Sequence, residues 1–325
     1  MKIQSSLSGK DRYIASVDLG SHTARFLLCR ITDAPNILQP VVRKRFYTNM
    51  AEGFNEQGAG IISRESKKRA LDALYDFSTY SEKYSPEIIT GAATGVFRRA
   101  ENSEELLNEI QKKTGINIKV VSGEEEAEIT LKGIIHALGL PGCPDVFFDL
   151  GGSTTEIIYR EHDNRKIVSL PIGAFVLNGR YLKHDPPLKT ELEGLGDYVH
   201  KLLAEAVGQK KGGGNIMMTG SGGTVTSLAA MAKGLDRDKI SPEVINGILL
   251  GYDEIKSIHK TIVPLSLKHR TALKSIDRGR AEVILAGTSA VLAILEYFNA
   301  GSLTVSYSDI LEGLILSYLD GEKND

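Results

Sequence analysis

Two hydrophobic segments that each end in Asp-Leu-Gly constrain the fold of this chain more than any other feature. The first reaches its aspartate at Asp18 and the second at Asp149, and glycine, hydroxyl and further hydrophobic residues follow each. A hydrophobic run before a glycine turn is typical of a buried strand, and glycine lets the backbone approach a ligand closely. Consecutive N–H groups in such a turn suit a phosphate group. The sequence therefore predicts two strand–turn–strand units of similar architecture, far apart in the chain.

Carboxylates accompany both turns. Asp149 and Glu156 stand at either end of the second turn, where their oxygens are suitable ligands for a magnesium ion. The structural alternative is that Asp18 and Asp149 end their strands in Asx turns and that Glu156 faces solvent. The presence of an aspartate in both units favours a function for the pair.

Length and composition indicate a soluble globular protein with two domains. The chain has 325 residues, of which 42% are hydrophobic and 25% charged, and its net charge of −2 gives no reason to expect nucleic-acid binding. Cys29 and Cys143 form neither a disulfide framework nor a metal-binding spacing. The amino terminus lacks the apolar core of a signal peptide, and no uninterrupted apolar run is long enough to span a membrane. We therefore expect a cytoplasmic protein.

The order of elements divides the chain into two halves. Ser63 is a candidate helix cap, and Ser122-x-x-Glu125 has the spacing of a capping box that begins a helix. The segment Pro141–Pro144 breaks the pattern, so we expect domains at residues 1–140 and 141–325. In the second half, a flexible surface turn is expected at Lys210–Gly214, and the longest helix is expected from Arg278 to Phe298.

With these motifs placed, the chain resembles the exopolyphosphatase/guanosine pentaphosphate phosphatase family, in its short two-domain form. The resemblance covers nearly the whole chain and rests on five motifs in order: the two turns, Ala93-Thr94…Arg98…Asn102, Ser122–Ala127, and Gly220-Ser221-Gly222-Gly223-Thr224. The family belongs to the fold group of actin, sugar kinases and heat-shock chaperones. The resemblance thus implies an α/β protein with two ribonuclease-H-like domains of the actin-like ATPase type that flank a central cleft.

The resemblance also implies roles for individual residues. Glu126 matches the family's catalytic base, and Arg98 matches an arginine that contacts substrate phosphate. Asp149 and Glu156 match the carboxylates of a Mg²⁺ site, to which Asp18 is expected to contribute through water. The phosphate-binding positions are expected to be Gly20, Ser21, His22, Thr23, Arg25, Gly151, Gly152, Ser153, Thr154, Gly222 and Gly223. Glu124 and Glu125 are expected to belong only to the solvated first turn of a helix.

The two turns depart from the family pattern. His22 and Thr23 stand where the family usually has asparagine and serine, and Ser153 and Thr154 stand where it has a third glycine and a serine. If the third glycine position needs a positive φ, Ser153 is strained. These departures affect substrate choice and rate more than the class of reaction.

The family points to a magnesium-dependent enzyme that removes terminal orthophosphate from polyphosphate or guanosine pentaphosphate, and to a homodimer. An alternative is a non-hydrolytic member that binds nucleotide or polyphosphate and signals by domain closure, for which the His22 and Ser153 departures are the only support. A small-molecule kinase of the same fold is a third possibility, but no motif specific for an acceptor is visible.

Overall fold

The computed structural model describes residues 11–33, 37–54, 60–162, 164–208 and 216–322, so the turn predicted at Lys210–Gly214 lies outside the described residues. The first sheet is built from the strands β1 (Arg12–Leu19), β2 (Thr23–Ile31), β3 (Leu38–Tyr47), β4 (Ile89–Ala93) and β5 (Asn117–Val120). Its spatial order is β3-β2-β1-β4-β5, in which β1 to β3 form an antiparallel meander and β4 and β5 continue in parallel. The helices of this half are α1 (Arg64–Tyr84), α2 (Ser103–Thr114) and α3 (Gly123–Leu138), with a 3₁₀ turn at Gly95–Arg98.

The second sheet repeats this arrangement. Its strands are β6 (Val146–Leu150), β7 (Thr155–Glu161), β8 (Asn164–Leu170), β9 (Met218–Ser221), β10 (Leu249–Gly251) and β11 (Ser302–Val305). The order is β10-β11-β9-β6-β7-β8, and β6 to β8 again form an antiparallel meander joined in parallel by β9 and β11. Apart from the added edge strand β10, the two sheets have the same topology, which confirms the α/β fold with a repeated unit. The domain boundary at residue 141 stays a prediction.

Helix caps fix where the first helices begin. The Ser63 hydroxyl accepts a hydrogen bond from the N–H of Ser66 at the start of α1. Ser122 and Glu125 form the predicted capping box at the start of α3, with distances of 3.1 Å and 2.7 Å. Asn102 does not cap α2; its side chain instead bonds the backbone of Ile62, which ties the start of α2 to the segment before α1.

The remaining helices surround the second sheet. They are α4 (Ala174–Tyr181), α5 (Lys189–Val207), α6 (Gly223–Ala232), α7 (Pro242–Ile245), α8 (Tyr252–Ile262), α9 (Leu267–Arg270), α10 (Arg278–Phe298) and α11 (Ile310–Glu322), with a 3₁₀ turn at Arg237–Lys239. Among the described residues, α10 alone is long and apolar enough to cross a membrane, but 83% of its most apolar window is buried inside the protein. It packs against α4, α5, α6 and α8, so it is a core helix.

Two helices pack on the sheet of the opposite half of the chain. Helix α3 belongs to the first half, yet its apolar residues Ala127, Leu131 and Ile134 pack against Phe147 and Ile158 of the second sheet. Helix α11 comes last in the chain and covers the first sheet, where its residues Leu311, Ile315, Leu316 and Leu319 pack against Ile14, Leu27, Cys29 and Leu38. The two halves therefore exchange one helix each, and burial of each sheet depends on the other half.

Helices α3 and α11 also pack directly against each other, through a pair of glycines. A Cβ at Gly313 would lie 1.8 Å from the carbonyl oxygen of Ile129, and a Cβ at Gly133 would lie 2.2 Å from that of Asp309. Both obstacles are backbone atoms, which a rotamer change cannot move. Glycine at these two positions therefore sets the distance between the exchanged helices.

This close packing predicts that Gly313→Ala lowers the free energy of unfolding by about 2 kcal/mol, because α3 and α11 must move apart to admit one methyl group. Gly321→Ala is the matched control: it lies on the same helix, is exposed and has no atom within 4 Å of the added Cβ. Alanine should stabilise that position by about 0.5–1 kcal/mol through helix propensity. Denaturant titration of both variants measures the difference. Equal midpoints would show that the glycine contact does not constrain the helices.

Candidate active site

The two glycine turns have the same hydrogen bond and face one cleft. The N–H of Gly20 donates to the carbonyl of Thr23 at 2.9 Å, and that of Gly151 donates to the carbonyl of Thr154 at 3.0 Å. Both turns line a cavity of about 120 Å³ between the two sheets. All the residues predicted to bind phosphate line it: Gly20, Ser21, His22, Thr23, Arg25, Gly151, Gly152, Ser153, Thr154, Gly222 and Gly223. The structure thus brings both predicted loops and the later glycine segment into a single site.

Strand register places two charged side chains on the cleft face of each hairpin. Asp18 pairs with Arg25 across β1 and β2, and Asp149 pairs with Glu156 at the equivalent place across β6 and β7. Directly paired residues on adjacent antiparallel strands point to the same face. The first hairpin therefore holds an ion pair, with Arg25 Nη2 2.7 Å from Asp18 Oδ2. The second holds two carboxylates, which are each bonded by a serine: Ser221 at 2.7 Å from Asp149 and Ser169 at 2.8 Å from Glu156.

The predicted catalytic residues meet beside the second hairpin. Glu126 lies in the first turn of α3 and is only 8% exposed, whereas Glu124 and Glu125 are exposed. Arg98 ends the 3₁₀ turn, and its Nη1 donates to Glu126 Oε2 at 2.6 Å. The other amino group of Arg98 lies 3.5 Å from Glu156 Oε1. One guanidinium thus joins the predicted base to a predicted metal ligand; the catalytic roles themselves stay predictions.

The cleft holds more negative charge than its arginines compensate. Burial is the largest cause that raises the pKa of Asp18, Glu126, Asp149 and Glu156. The pKa of Asp149 rises to about 6, with the nearby charge of Asp309 as the second cause. That of Glu126 lies well above its usual range, because the carboxylate of Glu156 adds to the effect of burial. Such a site favours the binding of a cation.

The carboxylates of the cleft supply only some of the ligands that a Mg²⁺ ion needs. Among the described residues, no three histidine, cysteine, aspartate or glutamate side chains converge as a ready-made metal cage. Mg²⁺ is often held by one or two carboxylates, with water and substrate phosphates completing its coordination. The paired carboxylates of Asp149 and Glu156 meet that lower requirement. Asp18 is already bonded by Arg25 and by Thr94 at 3.3 Å, so it fits the weaker role through water. Metal binding stays a prediction.

Two charged residues that line the cleft escaped the sequence analysis, Arg280 and Asp309. Asp309 precedes α11 and forms an ion pair with Arg25, which links the last helix to the first turn. Its backbone N–H donates a hydrogen bond to the carboxylate of Glu312 at 3.0 Å. The spacing Asp309-x-x-Glu312 is that of a helix cap and could have been recognised in the sequence. Arg280 stands near the start of α10, and no local pattern singled it out.

Arg280 and the start of α6 together form a positively charged corner of the cleft. A Cβ at Gly223 would lie 0.8 Å from Arg280 Nη1, so the guanidinium rests directly on that glycine. Gly222 has φ 97°, and no side chain caps the N-terminus of α6. Within the part of the chain that the structure describes, the guanidinium of Arg280 has no hydrogen bond or ion pair, and burial followed by the charge of Arg45 lowers its pKa to about 10. A free cation beside uncapped helix N–H groups favours a bound anion.

His22 and Ser153 occupy equivalent positions in the two turns and each has a buried polar atom without a partner, Nε2 and Oγ respectively. The imidazole lies between Tyr47 and Phe175, with ring centroids 5.1 Å and 5.4 Å away. Burial, followed by the charge of Arg280, lowers its pKa to about 4, so it is neutral at physiological pH. Ser153 does not have a positive φ, so the strain considered for it does not arise. The turns also touch, because a Cβ at Gly152 would lie 3.3 Å from that of His22.

Comparison with known proteins places the chain in a family. The sequence model of the Ppx/GppA phosphatase family matches residues 29–322. Exopolyphosphatase 2 of Mycobacterium tuberculosis is 28% identical over 318 residues, which cover 94% of this chain and 98% of that protein. A guanosine-5'-triphosphate,3'-diphosphate pyrophosphatase of Vibrio vulnificus is 26% identical over 323 residues, which cover 98% of this chain. The chain spans only 62% of the length of that second relative.

Solved structures of the family share the fold. A Ppx/GppA family member from Aquifex aeolicus superposes with a TM-score of 0.79 at 26% identity, covering 96% of this chain and 98% of its own. An exopolyphosphatase from Cytophaga hutchinsonii, at 24% identity, superposes with a TM-score of 0.84 over 95% and 98% of the two chains. These matches confirm the actin-like fold and a phosphohydrolase, as predicted from the sequence. On these grounds the chain belongs to the Ppx/GppA phosphatase family.

Proposed function

We propose that this protein is a magnesium-dependent phosphohydrolase that releases terminal orthophosphate from inorganic polyphosphate, from guanosine pentaphosphate, or from both. The names of the relatives in Mycobacterium tuberculosis and Vibrio vulnificus support these two substrates. The observation that carries the proposal is the ion pair of Arg98 with the buried Glu126, which lies beside Glu156 and lines the cleft between the two glycine turns.

The turns, Arg280 and the start of α6 would bind the phosphate chain. Hydrolysis of a phosphoanhydride depends mainly on positioning the phosphoryl group and on compensating its charge. The backbone N–H groups of the turns and the guanidinium of Arg280 supply that charge without rearranging during the reaction. The buried hydroxyl of Ser153 is a further donor available to phosphate oxygens, and so is His22 in the tautomer that carries its proton on Nε2.

Glu126 would act as the general base. It accepts a proton from the attacking water, whose oxygen forms a bond to the terminal phosphorus. The bond between that phosphorus and the bridging oxygen breaks, and the bridging oxygen leaves with the electron pair as part of the shortened chain. Glu126 must be ionised to act in this way: burial raises its pKa and disfavours the charged form, while the charge of Arg98 and its hydrogen bond favour that form. Of the five N–H donors of Arg98, Nη1 serves Glu126 and the carbonyl of Val121 and Nη2 serves Glu156, and the others remain for phosphate.

Asp149 and Glu156 would hold Mg²⁺, which neutralises charge on phosphate oxygens when it is bound. Ser221 and Ser169 hold those two carboxylates in place from the neighbouring strands. Asp18 and Asp309 each form an ion pair with Arg25. Arg25 therefore orients the first turn, and its remaining N–H donors face the cleft.

One assay tests the proposal. The purified protein with Mg²⁺ should release orthophosphate from polyphosphate or guanosine pentaphosphate, and removal of the metal with a chelator should stop the release. Tight binding of either compound with no turnover, over a range of metals and pH, would favour a non-hydrolytic binding protein instead. Ser153 has no positive φ, so backbone strain at this residue lends that alternative no support. The homodimer and the cytoplasmic location stay predictions.

A further inference from the structure

A second cavity of about 140 Å³ lies beside the cleft. We call it the arginine groove; the residues used to define it are Arg25, Arg43, Arg45, Thr226, Arg280 and Tyr307. Arg280, Gly222 and Gly223 line both cavities, so an anion bound at the start of α6 can extend from one cavity into the other. The groove is therefore a continuation of the candidate active site.

Two arginines of the groove, Arg43 and Arg45, belong to β3. Side chains two residues apart on a strand share a face, so Arg43 and Arg45 project to the same side. Arg43 pairs there with Glu312 of α11, and Arg45 Nη2 lies 2.5 Å from Asp277 Oδ2 at the cap of α10. Lys44, between them, lies instead over the ring of Tyr80. The first sheet thus presents guanidinium groups to elements of the second half of the chain.

The groove has hydrogen-bond donors that its carboxylates do not use. A guanidinium has five N–H donors, whereas the ion pairs of Arg43 and Arg45 occupy one carboxylate each. The Nε of Arg43 is buried without a partner, and the structure records no partner for the guanidinium of Arg280. Clustered guanidinium groups with spare donors match the oxygens of phosphate.

We propose that the arginine groove binds the trailing phosphates of a linear polyphosphate chain whose terminal phosphoryl group lies in the cleft. This inference rests on the proposed function and adds a place for the rest of the substrate. A nucleobase fits the groove less well, because the guanidinium of Arg43 already lies over the ring of Tyr307, 5.3 Å from its centroid. The 3'-diphosphate of guanosine pentaphosphate has the same phosphate chemistry, and the experiment separates the two.

The test compares the affinities of tripolyphosphate, long-chain polyphosphate and guanosine pentaphosphate by calorimetry, in the full-length Glu126→Gln protein so that no turnover interferes. Arg45→Ala in that background should weaken binding of long-chain polyphosphate about fivefold to tenfold and leave tripolyphosphate within about twofold. Arg45→Lys should recover part of the loss. Thr226→Glu, which adds a negative charge inside the groove, should weaken the long chain at least as much as Arg45→Ala.

Arg30→Ala is the matched control. Arg30 lies on the same sheet, is 40% exposed against 37% for Arg45, and also has one carboxylate partner. It should change none of the three affinities. Equal losses for tripolyphosphate and the long chain, no loss in either groove variant, or a loss confined to guanosine pentaphosphate would each overturn the proposal. A wild-type protein that releases no orthophosphate would contradict the proposed function, while these binding measurements would still decide on the groove.

Discussion

Glu126→Gln should lower kcat for orthophosphate release about 10³-fold, while the KM for the substrate changes little. Glutamine keeps the size of the side chain and can still accept a hydrogen bond from Arg98, but it cannot take a proton from water. A general base contributes about 10²–10⁴-fold to the rate, and a group that touches only the attacking water contributes little to substrate binding. Steady-state kinetics with a coloured phosphate assay measures both constants.

Glu124→Gln is the control for that result. Glu124 is two residues away on the same first turn of α3, carries the same charge and is exposed. It should retain the wild-type kcat, because it points away from the cleft. If Glu126→Gln kept more than about a tenth of the wild-type kcat, another group would have to be the base.

Asp149→Asn should stabilise the metal-free protein at pH 7.5 by about 2–3 kcal/mol and at the same time abolish magnesium-dependent activity. Burial is the main reason why the pKa of Asp149 rises from 3.8 to about 6, so the folded protein holds its charged form at a cost of about 3 kcal/mol. Asparagine removes the charge and can still accept the hydrogen bond from Ser221. Thermal unfolding in a chelating buffer should show Tm higher by about 5 °C.

The pH dependence of the stability gained by Asp149→Asn follows from the direction in which the pKa of Asp149 is shifted. The folded pKa lies above the unfolded one, so the wild type has its full stability below about pH 3.8 and loses it as the pH rises through about 6. The advantage of Asp149→Asn should therefore be absent near pH 3.5 and complete above pH 7. Saturating Mg²⁺ should reduce it, since a bound cation stabilises only the wild type.

Asp145→Asn is the matched control, because Asp145 lies just before the same strand and its carboxylate accepts a hydrogen bond from the N–H of Met217. This variant should gain no stability at pH 7.5. A stability gain for Asp149→Asn that persisted unchanged at pH 3.5 would show that the buried charge is not its origin.

Local patterns predicted much of the site because its core is built from short-range geometry. The alternation of side chains along a strand and the length of a tight hairpin fix Asp149 opposite Glu156 without any knowledge of the rest of the fold. Similarly, the Ser122–Glu125 capping box fixed the start of α3, which leaves Glu126 in its first turn. The burial of Glu126 followed from the position of that turn against the second hairpin.

Contacts between distant segments escaped prediction for the converse reason. Arg280 and Asp309 reach the cleft from α10 and from the start of α11, and nothing in the residues around them specifies which loop they will face. Ser169 and Ser221 bond the two carboxylates of the second hairpin from neighbouring strands, where a serine ordinarily has no distinctive signal. The exchange of α3 and α11 could not be predicted from the sequence either, because the apolar stripe of a helix does not specify which sheet the helix covers.

The exchanged helices also delay the maturation of this protein on the ribosome. Translation proceeds from the amino terminus, so the first sheet emerges long before α11, the helix that buries Ile14, Leu27 and Cys29. Until α11 has been made, one face of that sheet stays open to water and to chaperones. Helix α3, in contrast, is available when the second sheet appears. The second sheet in turn lacks β11 until just before α11 is made, so neither half can complete its native packing before this last part of the described chain has been synthesised.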